Sequence, residues 1–191
     1  MGDSMRILIA GLLGAIAMFA WTSVAHRATP LAYIGFSPIP NEAPVLSAME
    51  SSIGAKPGLY FYPWLDPKDP HAMDKGALLE RAHGHGLLLY HPANTQMDDN
   101  MGPMLGGEFA KQFVQALIAA FIVSLMVGAS FATRWGAVVL IGVSASIATN
   151  VSYWNWYGFP LDYTLAAMTI EIVSAICAGV VIAWWMGRRV A

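Results

Sequence analysis

The chain has 191 residues, 57% of them hydrophobic and 12% charged, with a formal net charge of −2. Soluble domains are roughly 45–50% apolar and about 25% charged, so this composition excludes an ordinary soluble domain. Mean hydropathy of +0.53 excludes a disordered chain, 10 basic against 12 acidic residues exclude a phosphate-tracking nucleic-acid binder, and one cysteine excludes a disulfide-stapled scaffold.

Four apolar runs organise the sequence: Ile7 to Ala25, Phe113 to Ala132, Trp135 to Val151 and Leu161 to Met186. Each approaches the roughly 20 residues that a helix needs to cross about 30 Å of hydrocarbon. Tyr153 and Trp154 can lengthen the third run into the headgroup level, where aromatic rings are favoured. The expected fold class is an all-α integral membrane bundle of four transmembrane helices, with a small α/β extracytoplasmic insertion between helices one and two. The expected divisions are a first helix over 1–25, the insertion over 26–111, and helices two to four with a short cytoplasmic C-terminus over 112–191. A cleaved signal peptide is the rival reading of the first run, because Ser23, Val24 and Ala25 place small residues where a signal peptidase cuts. The run is longer than an h-region of about 7–15 residues, which favours a retained anchor.

Most charged residues, and every proline except Pro160, fall between His26 and Lys111. That segment is therefore the substantial water-exposed part. Within it, Asn41 precedes a run in which Val45, Met49 and Ile53 recur at helical spacing, the pattern of a capped amphipathic helix. Leu59, Tyr60, Phe61 and Tyr62, closed by Pro63, read as a strand. Asp69 and Pro70 open a second helix through Ala82, which Gly84 and Gly86 stop. Leu87 to Tyr90, closed by His91 and Pro92, reads as a second strand able to pair with the first. So short a unit buries limited surface and is expected to rest on helix ends or on a partner.

With four crossings, Arg6, Arg134, Arg188 and Arg189 fall on one side, which the positive-inside rule makes cytoplasmic. Both termini are then cytoplasmic and the insertion is extracytoplasmic. Cys177 lies within the fourth helix, so the insertion has no disulfide to form.

Chemistry has three candidate seats. Glu171 lies near the middle of the fourth helix, where a carboxylate is costly unless neutral or paired. With Asp162 above it and Asn150, Ser146 and Ser144 on the third helix, it reads either as a proton or cation relay or as a packing hydrogen bond between helices. No proline interrupts a helix in mid-span, the usual mark of a transporter site. The second seat is His71, His83, His85 and His91 with Met73, Met97, Met101 and Met104, since imidazole and thioether together suit copper in an oxidising compartment. Polar loop histidines and methionines at the membrane surface are the plainer reading. The third is the aromatic run Tyr153, Trp154, Trp156, Tyr157 and Phe159, echoed by Trp184 and Trp185, which reads as interfacial anchoring or as a surface for a quinone, a pigment or a lipid tail. His26 and Arg27 can snorkel to headgroups at the outer end of the first helix. Small residues four apart, Gly128 with Ala132, Gly142 with Ser146 and Ala175 with Gly179, allow close helix approach. No nucleophile elbow, phosphate loop, dinucleotide fingerprint or zinc-protease helix is visible, so no enzyme is expected.

The motifs Trp21 with His26, Pro30 with Leu31, Ile39 to Glu42, Gly58 to Tyr62, Tyr90 to Pro92 and Ser152 to Pro160 resemble those of a group of uncharacterised bacterial inner-membrane proteins. The resemblance spans nearly the whole chain and implies an architecture and an inner-membrane location, with no catalytic residues. The leading expectation is a noncatalytic integral membrane subunit that anchors or stabilises a larger complex, respiratory or photosynthetic, or a homo-oligomer, in contact with membrane lipid. A small proton- or ion-coupled transporter using Glu171 and a periplasmic copper-handling or redox protein using the His and Met set are the alternatives. No cofactor is expected in the leading reading.

Overall fold

The computed structural model describes residues 2–93 and 101–188. In chain order the elements are α1 (Asp3–Ala28), a 3-10 turn (Pro30–Ala32), α2 (Glu42–Ile53), β1 (Gly58–Tyr62), α3 (Ala72–His83), β2 (Gly86–Tyr90), α4 (Met101–Ser124), α5 (Phe131–Ser146), a π-turn (Ile147–Val151), α6 (Ser152–Tyr157) and α7 (Leu161–Gly187). They form two compact units, Met1–Phe36 with Asn100–Ala191, and Ser37–Asp99.

The first unit is a helical bundle. Four of its helices are long and apolar enough to cross a membrane: α1, α4, the continuous Phe131–Tyr157 helix and α7. α1 packs against both α4 and α7, and α7 packs in turn against α5, so α1 and α7 are the central pair. The core is built from small residues: Ala10, Ala15, Ala116, Ala119, Ala120 and Ala178 surround Val123, Val138 and Ile182. Large apolar side chains such as Leu8, Leu12, Ile16, Ile118, Phe121 and Leu140 point outward. A water-soluble bundle has the reverse pattern, with leucine inside, because apolar burial drives its assembly; small residues inside instead let helix backbones approach closely. Gly11 and Gly14 show this on α1, since a Cβ at Gly11 would meet the Leu117 backbone at 3.0 Å and one at Gly14 would meet Ile182 at 2.9 Å.

The second apolar run is divided between two helices. α4 starts at Met101 rather than near Phe113 and ends at Ser124, and α5 starts at Phe131. Pro103 sits in the first turn of α4, where its missing N–H costs no helical bond. Glu108 and Lys111 pair three residues apart on the same helix, which is how a polar stretch outside the apolar run is still helical. Between the two helices, Gly128 takes φ +75°, and the Ser130 hydroxyl caps α5 by accepting from the Thr133 N–H. Gly128 and Ala132 therefore do not form a helix face. The third helix extends through the π-turn and α6 until Gly158, at φ +69°, ends it.

The second unit contains the expected α/β elements. β1 and β2 pair antiparallel with Leu59 opposite Leu89 and Tyr60 opposite Leu88. α2 begins after Asn41, as the spacing predicts, though the Asn41 side chain makes no cap bond. α3 begins at Ala72 after His71, two residues later than Pro70, because Asp69 closes a turn first: its carboxylate accepts from the His71 N–H and its carbonyl from the Ala72 N–H. The Tyr62–Pro63 peptide is cis.

Candidate functional site

The α5–α7 contact carries the bundle's most unusual polar arrangement. Residues four apart on each helix mesh in antiparallel order. A Cβ at Gly179 would meet Trp135 and Val138, and one at Gly142 would overlap the Cβ of Ala175. Two of the expected small-residue pairs, Gly142 with Ser146 and Ala175 with Gly179, thus serve one interface inside the bundle. Further along, one repeat from Ala175 and two from Gly142, Asn150 meets Glu171: the Asn150 Nδ2 donates to the Glu171 Oε2 at 2.9 Å.

Asn150 is held there by the π-turn. A wider turn leaves the Ser146 carbonyl without its usual α-helical partner, and the same Asn150 amide nitrogen donates to it at 3.0 Å. Asn150 is buried, whereas Glu171, eleven residues into α7, is exposed on the outer surface of the bundle. Among the described residues the buried Ser146 and Ser174 hydroxyls have no hydrogen-bond partner, and each lies one turn from a member of the pair. One residue before Glu171, the Trp21 indole of α1 donates to the Ile170 carbonyl at 2.9 Å. Hence α1 and α5 both engage α7 at the Glu171 level. π-turns are frequent at functional sites, so the bulge and the mid-helix carboxylate belong together as a candidate site.

Asp162 does not join this pair. It lies in the first turn of α7, where its carboxylate accepts from the Tyr163 N–H, about 13 Å along the axis from Glu171 by the helical rise. Ser144 faces outward.

The aromatic residues divide into two sets. Tyr153, Tyr157 and Phe159 stack in a chain that continues through Tyr163 to Phe36, with neighbouring centroids 5.3–6.0 Å apart. Trp154 and Trp156 stand outside it and are exposed. Gly35, at φ +83°, lies against Tyr163 with no room for a Cβ, which brings Phe36 onto the ring.

The His and Met set is spread over several elements. His71 precedes α3, His83 ends it, and His85 and His91 flank β2. Met73 lies exposed on α3. Met101 and Met104 occupy the first turn of α4, in the other unit, rather than the loop expected for them, and Met97 is outside the described residues. Among the described residues, no three His, Cys, Asp or Glu side chains converge on a common point.

Sequence reading missed a polar cluster between α1 and α4. Buried Gln112 donates to the Thr22 hydroxyl at 3.0 Å and to Glu108 at 2.9 Å, while Lys111 pairs with the same carboxylate. Gln112 opens an apolar run and was hidden by it. No protein-family model, curated protein or solved structure matches the chain.

Proposed function

We propose that the chain is a noncatalytic, multi-pass subunit of a bacterial inner membrane, with both termini cytoplasmic and the Ser37–Asp99 unit outside. Alanine packing inside and leucine, isoleucine and phenylalanine outside support insertion in lipid. The observation that carries the subunit role is Glu171, exposed at the middle of α7 with Asn150 as its hydrogen-bond partner. A charged side chain at the bilayer centre costs about 2.5–3.5 kcal/mol on insertion scales, and even a neutral carboxyl there needs partners. A neighbouring polypeptide laid against the α5–α7 face removes that cost by covering the carboxyl and completing its hydrogen bonds. The chain would then anchor or stabilise a larger membrane complex, respiratory or photosynthetic, or a homo-oligomer.

The test is purification from native membranes in mild detergent, with mass spectrometry of co-purifying chains. Stoichiometric larger subunits, or a defined oligomer, that Glu171→Leu disperses and Glu171→Gln retains are expected. A chain that purifies alone as a monomer overturns the reading.

One observation favours a second reading, a proton- or ion-coupled transporter: the π-turn that delivers Asn150 to Glu171. Under it, Glu171→Gln abolishes coupled flux in proteoliposomes, whereas an assembly role survives the same change.

A further inference from the structure

One end of the bundle gathers three guanidinium groups around the C-terminus of α7. Arg6, from the first turns of α1, reaches over to donate to the Met186 carbonyl at 3.2 Å and the Arg188 carbonyl at 2.8 Å. Arg134, from the start of α5, lies so close that a Cβ at Gly187 would be 2.9 Å from its Nη1. Arg188 folds back over Trp184, 4.2 Å from the ring centroid, and the Trp185 indole donates to the Arg6 carbonyl at 3.1 Å. Residues from three helices that are distant in sequence are thus drawn to one spot.

Among the described residues none of these three guanidiniums pairs with a carboxylate. Three like charges at one place repel unless an anion joins them. The cluster's chemistry is specific: planar forks of N–H donors match the oxygens of a phosphate. α1 and α5 begin at this end and α7 ends there, so the helix dipoles oppose one another and the attraction for an anion comes from the guanidiniums. Trp184 is half exposed beside Arg188 and suits the boundary between acyl chain and headgroup.

We propose that Arg6, Arg134 and Arg188 form a binding site for a phosphate-class anion, supplied by the phosphodiester of an anionic phospholipid. Arg6 stays on the α7 carbonyls and sets the floor of the site, Arg134 and Arg188 flank the phosphate, and Trp184 lies along the glycerol and upper acyl chain.

The test is native mass spectrometry of the full chain in detergent, with phosphatidylglycerol or phosphatidylcholine of identical acyl chains, and a parallel titration with inorganic phosphate read by thermal melting. At about fivefold per basic side chain near an anionic surface, phosphatidylglycerol adducts should exceed phosphatidylcholine adducts by tenfold or more. The preference should fall to near parity in Arg134→Gln/Arg188→Gln and persist in Arg134→Lys/Arg188→Lys, both variants melting as the parent does without lipid. Equal retention of the two lipids with no stabilisation by inorganic phosphate, or a preference that the glutamine variant keeps, overturns the site. Saturable stabilisation by inorganic phosphate without a lipid preference overturns the lipid source and makes the ligand a soluble anion.

Discussion

The Asn150 amide nitrogen is shared between its own helix and the next, donating to the Ser146 carbonyl at 3.0 Å and to the Glu171 carboxyl at 2.9 Å. Local backbone geometry and an interhelical contact therefore depend on one side chain. Without it the Ser146 carbonyl would lose its side-chain donor, and α5 and α7 would lose the polar bond that continues their small-residue interface.

Removing that amide should cost more than altering the acid. Asn150→Leu is expected to lower stability by about 1–2 kcal/mol, the upper range for interhelical hydrogen bonds in membranes. Glu171→Gln still offers Asn150 an oxygen and should change stability by less than about 0.5 kcal/mol. Thermal melts in detergent followed by far-UV circular dichroism measure both, and equal losses would break the argument.

The α5–α7 interface also depends on the absence of a side chain at Gly142. Its Cβ position is already occupied by the Ala175 methyl, so Gly142→Leu should force the helices apart at a cost of about 1–3 kcal/mol or more. Gly106 on α4 has no atom of the described residues within 4 Å of its Cβ position. Gly106→Ala should accordingly be neutral or stabilising by up to about 1 kcal/mol, through helix propensity. The same melts compare the two, and a tolerated leucine at 142 would refute the packing.

Trp21 holds the Ile170 carbonyl through its indole N–H. Trp21→Phe keeps most of the aromatic volume and removes the donor, so the expected loss is about 0.5–1.5 kcal/mol. Hydrogen exchange should rise in α7 around Ile170 and Ser174 with little change near Ile182. Unchanged protection across α7 would show that the bond contributes nothing.

In the Ser37–Asp99 unit, Asp69 is held below the ordinary carboxylate value of 3.8 by the Lys75 ammonium first and the His71 N–H second. Because the folded value is depressed, this interaction is fully present above the unfolded value and is lost as pH falls through the folded one. Its pH window lies below about 4. Lys75→Met should move the Asp69 titration, followed by carboxyl carbon NMR, back toward the ordinary value; an unmoved titration would contradict the assignment. The pair is exposed to solvent, and global stability should barely respond.

Composition and apolar run length were enough to make four long apolar helices legible in the sequence, because the hydrocarbon thickness imposes a length that few soluble segments reach. The strand pair was legible too, from an aromatic run and a leucine run, each closed by proline, at Tyr62–Pro63 and Tyr90–His91–Pro92. Helix boundaries were less so. The start of α4 at Met101 rests on a proline tolerated in a first turn and on the Glu108–Lys111 pair, and the break at Gly128 rests on a left-handed backbone angle. Apolar averaging sees neither.

Glu171, Asn150 and Ser146 stood out in the sequence as polar residues in apolar surroundings. Only the tertiary structure decided that Asn150 reaches Glu171 from a π-turn, that Asp162 does not, and that the carboxyl lies on the outer surface. Only the fold, likewise, brought Arg6, Arg134 and Arg188 to one point and placed α1 and α7 at the centre of the bundle. The reason is physical: residue type and spacing determine what a single helix prefers, whereas which helices touch depends on where Gly11, Gly14, Gly142 and Gly179 leave room for a neighbour.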